Sequence, residues 1–319
     1  MSGEDIDRNR VVHALWIGRE LSNLELLTLR SFARHGHEFH LWLYDELQTP
    51  VPPGVVIEDA AKIIPRSGVF RYKHPHRWGK AGSVSGFSDI FRYKLLYELG
   101  GWWSDMDVAC LGPIAFKEAY VFRGNIGLPV VGNFMKCPPQ SELMRRCYER
   151  ALAAVDENNS DWVLPIRILN EAIVELGLSG YVRDGLCVVD DWRRIERMLF
   201  GRVALDPGNA VVHWMNEQWR SIGIDKDDYK IASTYGELLA ANGVIPSEFS
   251  PWRRALNSLS HLLCYRPATF SFAYYARYLG RFFVFRLPPF PISLQISRCL
   301  SFAWHRVCKP AFHLFVRRP

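Results

Sequence analysis

The first 45 residues switch hydrophobic period twice, which restricts the fold more than any other feature of the chain. Residues 11–17, VVHALWI, are an apolar run rich in β-branched and aromatic side chains and read as a buried strand. Ser22 and Glu25 follow at capping-box spacing, Leu24, Leu27 and Phe32 supply a helical stripe, and Gly36 ends it. Residues 38–44, EFHLWLY, alternate as a second strand. Strand, helix, strand in this order opens an α/β fold with an open sheet, where ligands bind at the carboxyl ends of strands.

A second helix is predicted over 86–99, where Phe91, Leu95 and Leu99 recur every fourth position and the pair Gly100-Gly101 stops it. Residues 102–108 then run extended. Further strands are predicted at 119–122, 186–190 and 210–214, with helices near 140–154 and 163–176.

The chemistry concentrates in Ser88 to Val108, SDIFRYKLLYELGGWWSDMDV. On an extended strand, residues two apart project to one side, so Asp105 and Asp107 would present two carboxylates to one point. Hard divalent cations such as Mn²⁺ or Mg²⁺ favour oxygen ligands of that kind and bridge nucleotide phosphates. Two neighbouring acids are also at home on a surface turn, so the doublet gains weight only from its context. Asp89 and Arg92 lie three apart on one face of the helix that leads into the strand. An exposed pair of this kind would be ordinary. Here Leu95, Leu96, Trp102 and Trp103 crowd the charges with apolar side chains, and charged groups in that company usually bind something.

The pattern S-D-x-x-R-x-x-x-L-x-x-x-G-G-x-x-x-D-x-D is met at Ser88, Asp89, Arg92, Leu96, Gly100, Gly101, Asp105 and Asp107. It resembles the glycosyltransferases with the DXD sugar-binding motif, among them capsular polysaccharide synthesis proteins, initiating mannosyltransferases and, more distantly, the clostridial glucosylating toxins. The opening VVHALWIG resembles that family's first strand, and AVVHWMNEQWRSIGIDKDDYKIASTYGELL its closing segment. The likeness covers about residues 10–245. It implies one Rossmann-like domain of GT-A type with an open, mostly parallel sheet, which transfers a hexose, with retention, from a nucleotide-sugar such as a UDP-sugar.

By the same resemblance Asp107 binds the metal directly, Asp105 contacts the metal or the sugar, and His213 is a further metal or pyrophosphate ligand. Asp89 and Arg92 would hold sugar hydroxyls, with Ser88 beside them. Trp16 would lie against the base, and Asn216 and Trp219 near the phosphates. Trp102-Trp103 stand where relatives often carry Ile-Tyr, so Trp103 either stacks on the donor or fills core. On residue type alone, a lone His on an apolar strand such as His213 reads first as a satisfied core histidine.

Charge divides the chain. Eleven of its 39 Lys and Arg, and none of its 33 Asp and Glu, lie at 251–319. The boundaries implied are a catalytic domain at 1–250 and a basic, aromatic, amphipathic tail at 251–319. Arg277 and Arg281, one helical turn apart, suit an in-plane helix on an anionic membrane surface, while helices packed back on the domain are the alternative. No nucleic-acid module accompanies the basic stretch. The polar start, MSGEDIDRNR, is unlike a secretory signal, and seven widely spaced cysteines suit buried reduced thiols. The resulting expectation is a cytoplasmic protein, peripheral on the inner face of the membrane, with a polysaccharide, glycolipid or lipid-linked acceptor. A phosphatase of the haloacid dehalogenase type, with its own D-x-D after a strand and Asp190-Asp191 as the late acidic pair, is the rival reading.

Overall fold

A computed structural model describes residues 10–75, 81–188 and 190–264 of the 319. The first strand, β1 (Val11–Trp16), leads to α1 (Asn23–Arg34) and β2 (Glu38–Leu43), as the period changes predict. Ser22 caps α1, and Ser22 and Glu25 form a reciprocal capping box. β3 (Val55–Asp59) extends the sheet beyond β2 without having been anticipated. Next come α2 (Ser85–Leu99), β4 (Gly101–Ser104), β5 (Val108–Cys110), β6 (Val121–Gly124) and β7 (Val130–Cys137). The remainder comprises α3 (Glu142–Ala154), α4 (Leu164–Glu175), β8 (Val182–Arg183), α5 (Trp192–Phe200), β9 (Val211–His213), α6 (Asn216–Ile222), α7 (Thr234–Ala241) and α8 (Pro251–Cys264).

Among the described residues, seven strands form one sheet in the order β3-β2-β1-β4-β7-β6-β8. Only β7 runs against its neighbours; β1 pairs in parallel with both β2 and β4. The open, mostly parallel sheet implied by the sequence is therefore what forms. Period-two alternation divides its faces: Trp103 packs with Phe91, Leu96 and Met144 on one side, and Trp102 with Phe32, Phe39 and Phe134 on the other. Covered on both faces, the central strand β4 is buried along its whole length. Cys110, Cys147 and Cys187 are buried free thiols, and burial pushes each up to about 12.

The turn from α2 into β4 is set by Gly100. Its φ of 66° and ψ of −159° suit a residue without Cβ, and a Cβ there would lie 2.5 Å from the main-chain nitrogen of Pro139. After β4 the chain departs from expectation. Residues 102–108 are not one extended strand: β4 ends at Ser104, and Asp105 to Asp107 form a turn in which Val108 N–H donates to Asp105 O at 3.2 Å. The two acids owe their placement to this turn, not to the pleat.

β5 leaves the main sheet and pairs antiparallel with β9, placing Val108 opposite His213. The predicted strand at 186–190 is reduced to a bridge, Cys187 to Val211, alongside β9. The expected tail begins at 251, yet its first helix is docked on the body. In α8, Asn257 accepts from Ile231 N–H at 2.8 Å and donates to Tyr229 O at 2.8 Å. Residues 265–319, including Arg277 and Arg281, lie outside the described residues. No described helix is long and apolar enough to cross a membrane.

Candidate functional site

The site is built where β4, β5 and β9 end. On one flank, Arg92 projects from α2 and forks: one Nη donates to Asp89 Oδ1 at 2.5 Å and the other to Asp105 Oδ1 at 2.8 Å. The i,i+3 spacing read from the sequence thus becomes a buried carboxylate–guanidinium–carboxylate chain. Burial raises the Asp89 carboxyl to about 6, against the pull of Arg92. Ser88 is half-buried on the same turn of α2.

Trp103 is only 1% exposed. Its Nε1–H donates to Asp105 Oδ1 at 2.7 Å, and its ring lies 5.1 Å beneath the Arg92 guanidinium carbon. Of the two readings of Trp103, the geometry fits core: the buried indole holds Asp105. Oδ1 of Asp105 carries both bonds, which leaves Oδ2 to the solvent side of a carboxylate 31% exposed.

On the other flank, Asp107 and His213 face each other across β5 and β9, with Oδ2 3.3 Å from Nε2. Asp107 Oδ2 also accepts from the main-chain N–H of Asn216 at 2.8 Å, and Trp214 N–H donates to Asp107 O at 2.8 Å. The Nδ1 of His213 lies 3.1 Å from Asp190 Oδ1. Burial disfavours the charged imidazole, but Asp107 and Asp190 more than reverse this and raise it to about 10. Burial would raise the Asp107 carboxyl, yet His213 and the Asn216 amide hold it below its usual range.

Residue type alone left His213 open as a satisfied core histidine; carboxylates on both ring nitrogens favour a charged site. Asn216 takes part through its main chain. Trp219, 1% exposed, donates through Nε1 to Trp214 O at 2.5 Å and packs edge-on to Trp214 and Tyr235, so it supports the loop from below instead of facing the phosphates. Trp16, half-buried at the end of β1, donates to Glu20 O at 3.1 Å and has Lys226 Nζ 5.3 Å from its ring.

Three participants escaped the sequence reading. Arg123 in β6 is buried, pairs with Asp190 and donates to Asn133 Oδ1 at 2.5 Å. Asn133 O in turn accepts the Asp105 N–H at 2.8 Å, so one guanidinium joins the two flanks. Asp190 was weighed only for the phosphatase. Lys226, paired with the buried Glu25, contributes to holding Asp107 ionised. The signal for Arg123 was a single cation closing the apolar run Val121-Phe122, too common a pattern to single out.

A divalent ion can be tested against these donors. Ligand bonds of about 2.1 Å at right angles place two donors about 3 Å apart, and Asp107 Oδ2 and His213 Nε2 fit that edge. Asp105 is held away by Arg92 and Trp103, and no group of three or more His, Cys, Asp or Glu among the described residues could hold an ion alone. Of the three ligands expected, Asp107 and His213 stand together as a two-residue edge, while Asp105 is turned to Arg92 and Trp103. Such an edge suits ions that take most remaining ligands from phosphate and water.

The phosphatase reading finds little support here, because Asp105 is tied through Oδ1 to Arg92 and Trp103. Asp191 caps α5 and does not pair with Asp190 in a metal site.

Among solved structures, the chain is similar to one described as PaToxG glycosyltransferase, with 12% identity, 75% of this chain and 88% of that chain covered, and a TM-score of 0.39. Another, described as a transferase double mutant, shows 8% identity over 55% of this chain and 87% of its own, with a TM-score of 0.36. No curated protein matches. Residues 69–125 match the family model described as a glycosyltransferase sugar-binding region containing DXD motif. That span holds Asp89, Arg92 and a single D-x-D, Asp105-Met106-Asp107. Over residues 69–125, which supply Asp89, Arg92, Asp105 and Asp107, the chain thus carries a glycosyltransferase sugar-binding region of the DXD type.

Proposed function

We propose that the protein moves a hexose, with retention, from a UDP-sugar to a polysaccharide, glycolipid or lipid-linked acceptor, and that it depends on Mn²⁺ or Mg²⁺. The observation that carries this reading is the division of the site into two flanks. Asp107 and His213 form a donor edge suited to a cation–diphosphate, and Asp89, Arg92 and Asp105 form a polar cradle suited to sugar hydroxyls.

Breaking the bond from the anomeric carbon to phosphate leaves negative charge on the diphosphate and positive character on the ring. A divalent cation supplies the counter-charge for that leaving group. Arg92 holds Asp89 and Asp105 in fixed orientation, so their carboxylates can accept hydroxyl protons and stabilise the ring without reorganising. Trp16 and Lys226 flank the end of β1, where the nucleoside would lie. The catalytic domain is placed in 1–250 with a basic tail after it. Eleven cations without an acid suit an anionic membrane surface on the cytoplasmic side.

The test is a thermal-shift screen of nucleotide-sugars with and without Mn²⁺, because a ligand that binds only the native state raises the melting temperature. A UDP-sugar should shift it, and Mn²⁺-dependent release of UDP should disappear in Asp107→Ala. Hydrolysis of simple phosphomonoesters with nucleotide-sugars ignored would restore the phosphatase reading.

A further inference from the structure

We propose that Asp190 is a positioning residue of the donor site, holding the His213 ring by its Nδ1–H so that Nε2 faces Asp107 and the incoming diphosphate with its cation. The inference rests on the donor-site reading above and extends it to a residue outside the matched sugar-binding region. A carboxylate can only accept, so the 3.1 Å contact between Asp190 Oδ1 and His213 Nδ1 means that Nδ1 carries a proton, and Nε2, 3.3 Å from Asp107 Oδ2, carries one as well. With Nδ1 held by Asp190, Nε2 is the nitrogen that would give up its proton to a cation arriving at the Asp107 edge.

Asp190 is itself held from behind. Its Oδ2 is engaged by Arg123 and by Asn125 Nδ2 at 2.8 Å, which turns Oδ1 toward the imidazole. A plain buried ion pair would need only Arg123; the Asn125 bond and the aimed second oxygen are what a ring-orienting carboxylate requires. The main chain reinforces the arrangement. Val188 N–H donates to Val211 O at 3.0 Å and Ala210 N–H to Leu186 O at 2.9 Å, so the segment leading to Asp190 runs beside β9. β5 delivers Asp107 on the other side of the same strand. His213 is therefore flanked strand by strand, and Arg123 ties its support to Asn133 and so to the Asp105 main chain.

The experiment titrates Mn²⁺ into the full chain in the presence of UDP and reads free Mn²⁺ by electron paramagnetic resonance. Loss of an outer carboxylate typically weakens metal binding about 10- to 100-fold, and Asp190→Asn should fall in that range. Asn125→Ala, which leaves the Arg123 pair intact, should show a smaller loss in the same direction and decides the matter should Asp190→Asn fail to fold. In a His213→Gln background, Asp190→Asn should add little, because its effect passes through the ring. Unchanged Mn²⁺ affinity in a folded Asp190→Asn protein and in Asn125→Ala, or an equal loss in both backgrounds, overturns the positioning role alone. A wild-type protein that binds no Mn²⁺ with UDP overturns the donor-site reading and this inference with it.

Discussion

His213 Nε2 stands 3.3 Å from Asp107 Oδ2 across a strand pair that also joins their main chains. The paired main chains fix where the two residues start, and Asn216 N–H on Asp107 and Asp190 on His213 hold the side chains, so the edge is set before any ligand arrives.

Asp107→Asn keeps the shape of the residue and its bond from the Asn216 amide while removing the charge. Loss of one preorganised electrostatic contact costs about 10²- to 10³-fold in turnover, and UDP release should fall by that much, together with a lower melting temperature from the lost His213 pair. Turnover within threefold of wild type would exclude Asp107 from the donor edge.

Arg92 serves two carboxylates from one planar fork, and a lysine has no second donor in that geometry. Arg92→Lys should lose transfer activity, and breaking a buried pair costs about 3–5 kcal/mol in urea unfolding. Gly132→Ala reaches the same group from outside, because its Cβ would press on the Arg92 guanidinium from β7. A small loss of stability, about 1–3 kcal/mol, with a larger loss of activity is the outcome expected.

Gly100→Ala combines a left-handed φ with overlap against the main chain at Pro139. Strain and overlap together should cost about 2–4 kcal/mol, read as a lower urea midpoint at unchanged slope. An alanine tolerated without cost would mean that the α2–β4 turn can be rebuilt.

His13 gives the fold an acid limit. Burial, and then the neighbouring His40, depress its imidazole to about 3, while the unfolded chain titrates at 6.5. Above 6.5 both states are neutral there; as pH falls below it, the unfolded state takes up a proton that the folded state refuses, so stability declines. At about 1.4 kcal/mol per unit, roughly 2 kcal/mol should be lost by pH 5. His13→Gln, which keeps an acceptor for the Trp42 Nε1–H now bound at 3.2 Å, should flatten that slope in urea titrations at pH 7 and pH 5.

Local signals carried much of this molecule. The capping box at Ser22 and Glu25, the stop at Gly100 and the spacing of Asp89 and Arg92 are written within a few residues, and each formed as read. β7 was not legible, because VVGNFMKC mixes polar and apolar residues without period and takes its place only by pairing with β4 and β6. The turn at Asp105–Asp107 was hidden for a related reason: β5 bends away to meet β9, about a hundred residues later in the chain. The sequence leaves Trp103 open between donor and core, and only the resemblance sets Trp219 near the phosphates; aromatic residues beside a motif suit either role, which packing alone distinguishes. Asp190 and Arg123 meet through tertiary contact alone, with no shared motif to announce it.

The strand that bears His213 lies between segments ending at Asp107 and Asp190, so the three chemical groups come from well-separated portions of the polypeptide. A chain still emerging from the ribosome can bury its early tryptophans and complete α2, yet the cation edge stays unmade until the last of these portions has been translated. Premature activity is thereby denied to any partly synthesised chain, and a fragment limited to residues 69–125 would lack β1 and β7, the partners of β4, as well as His213.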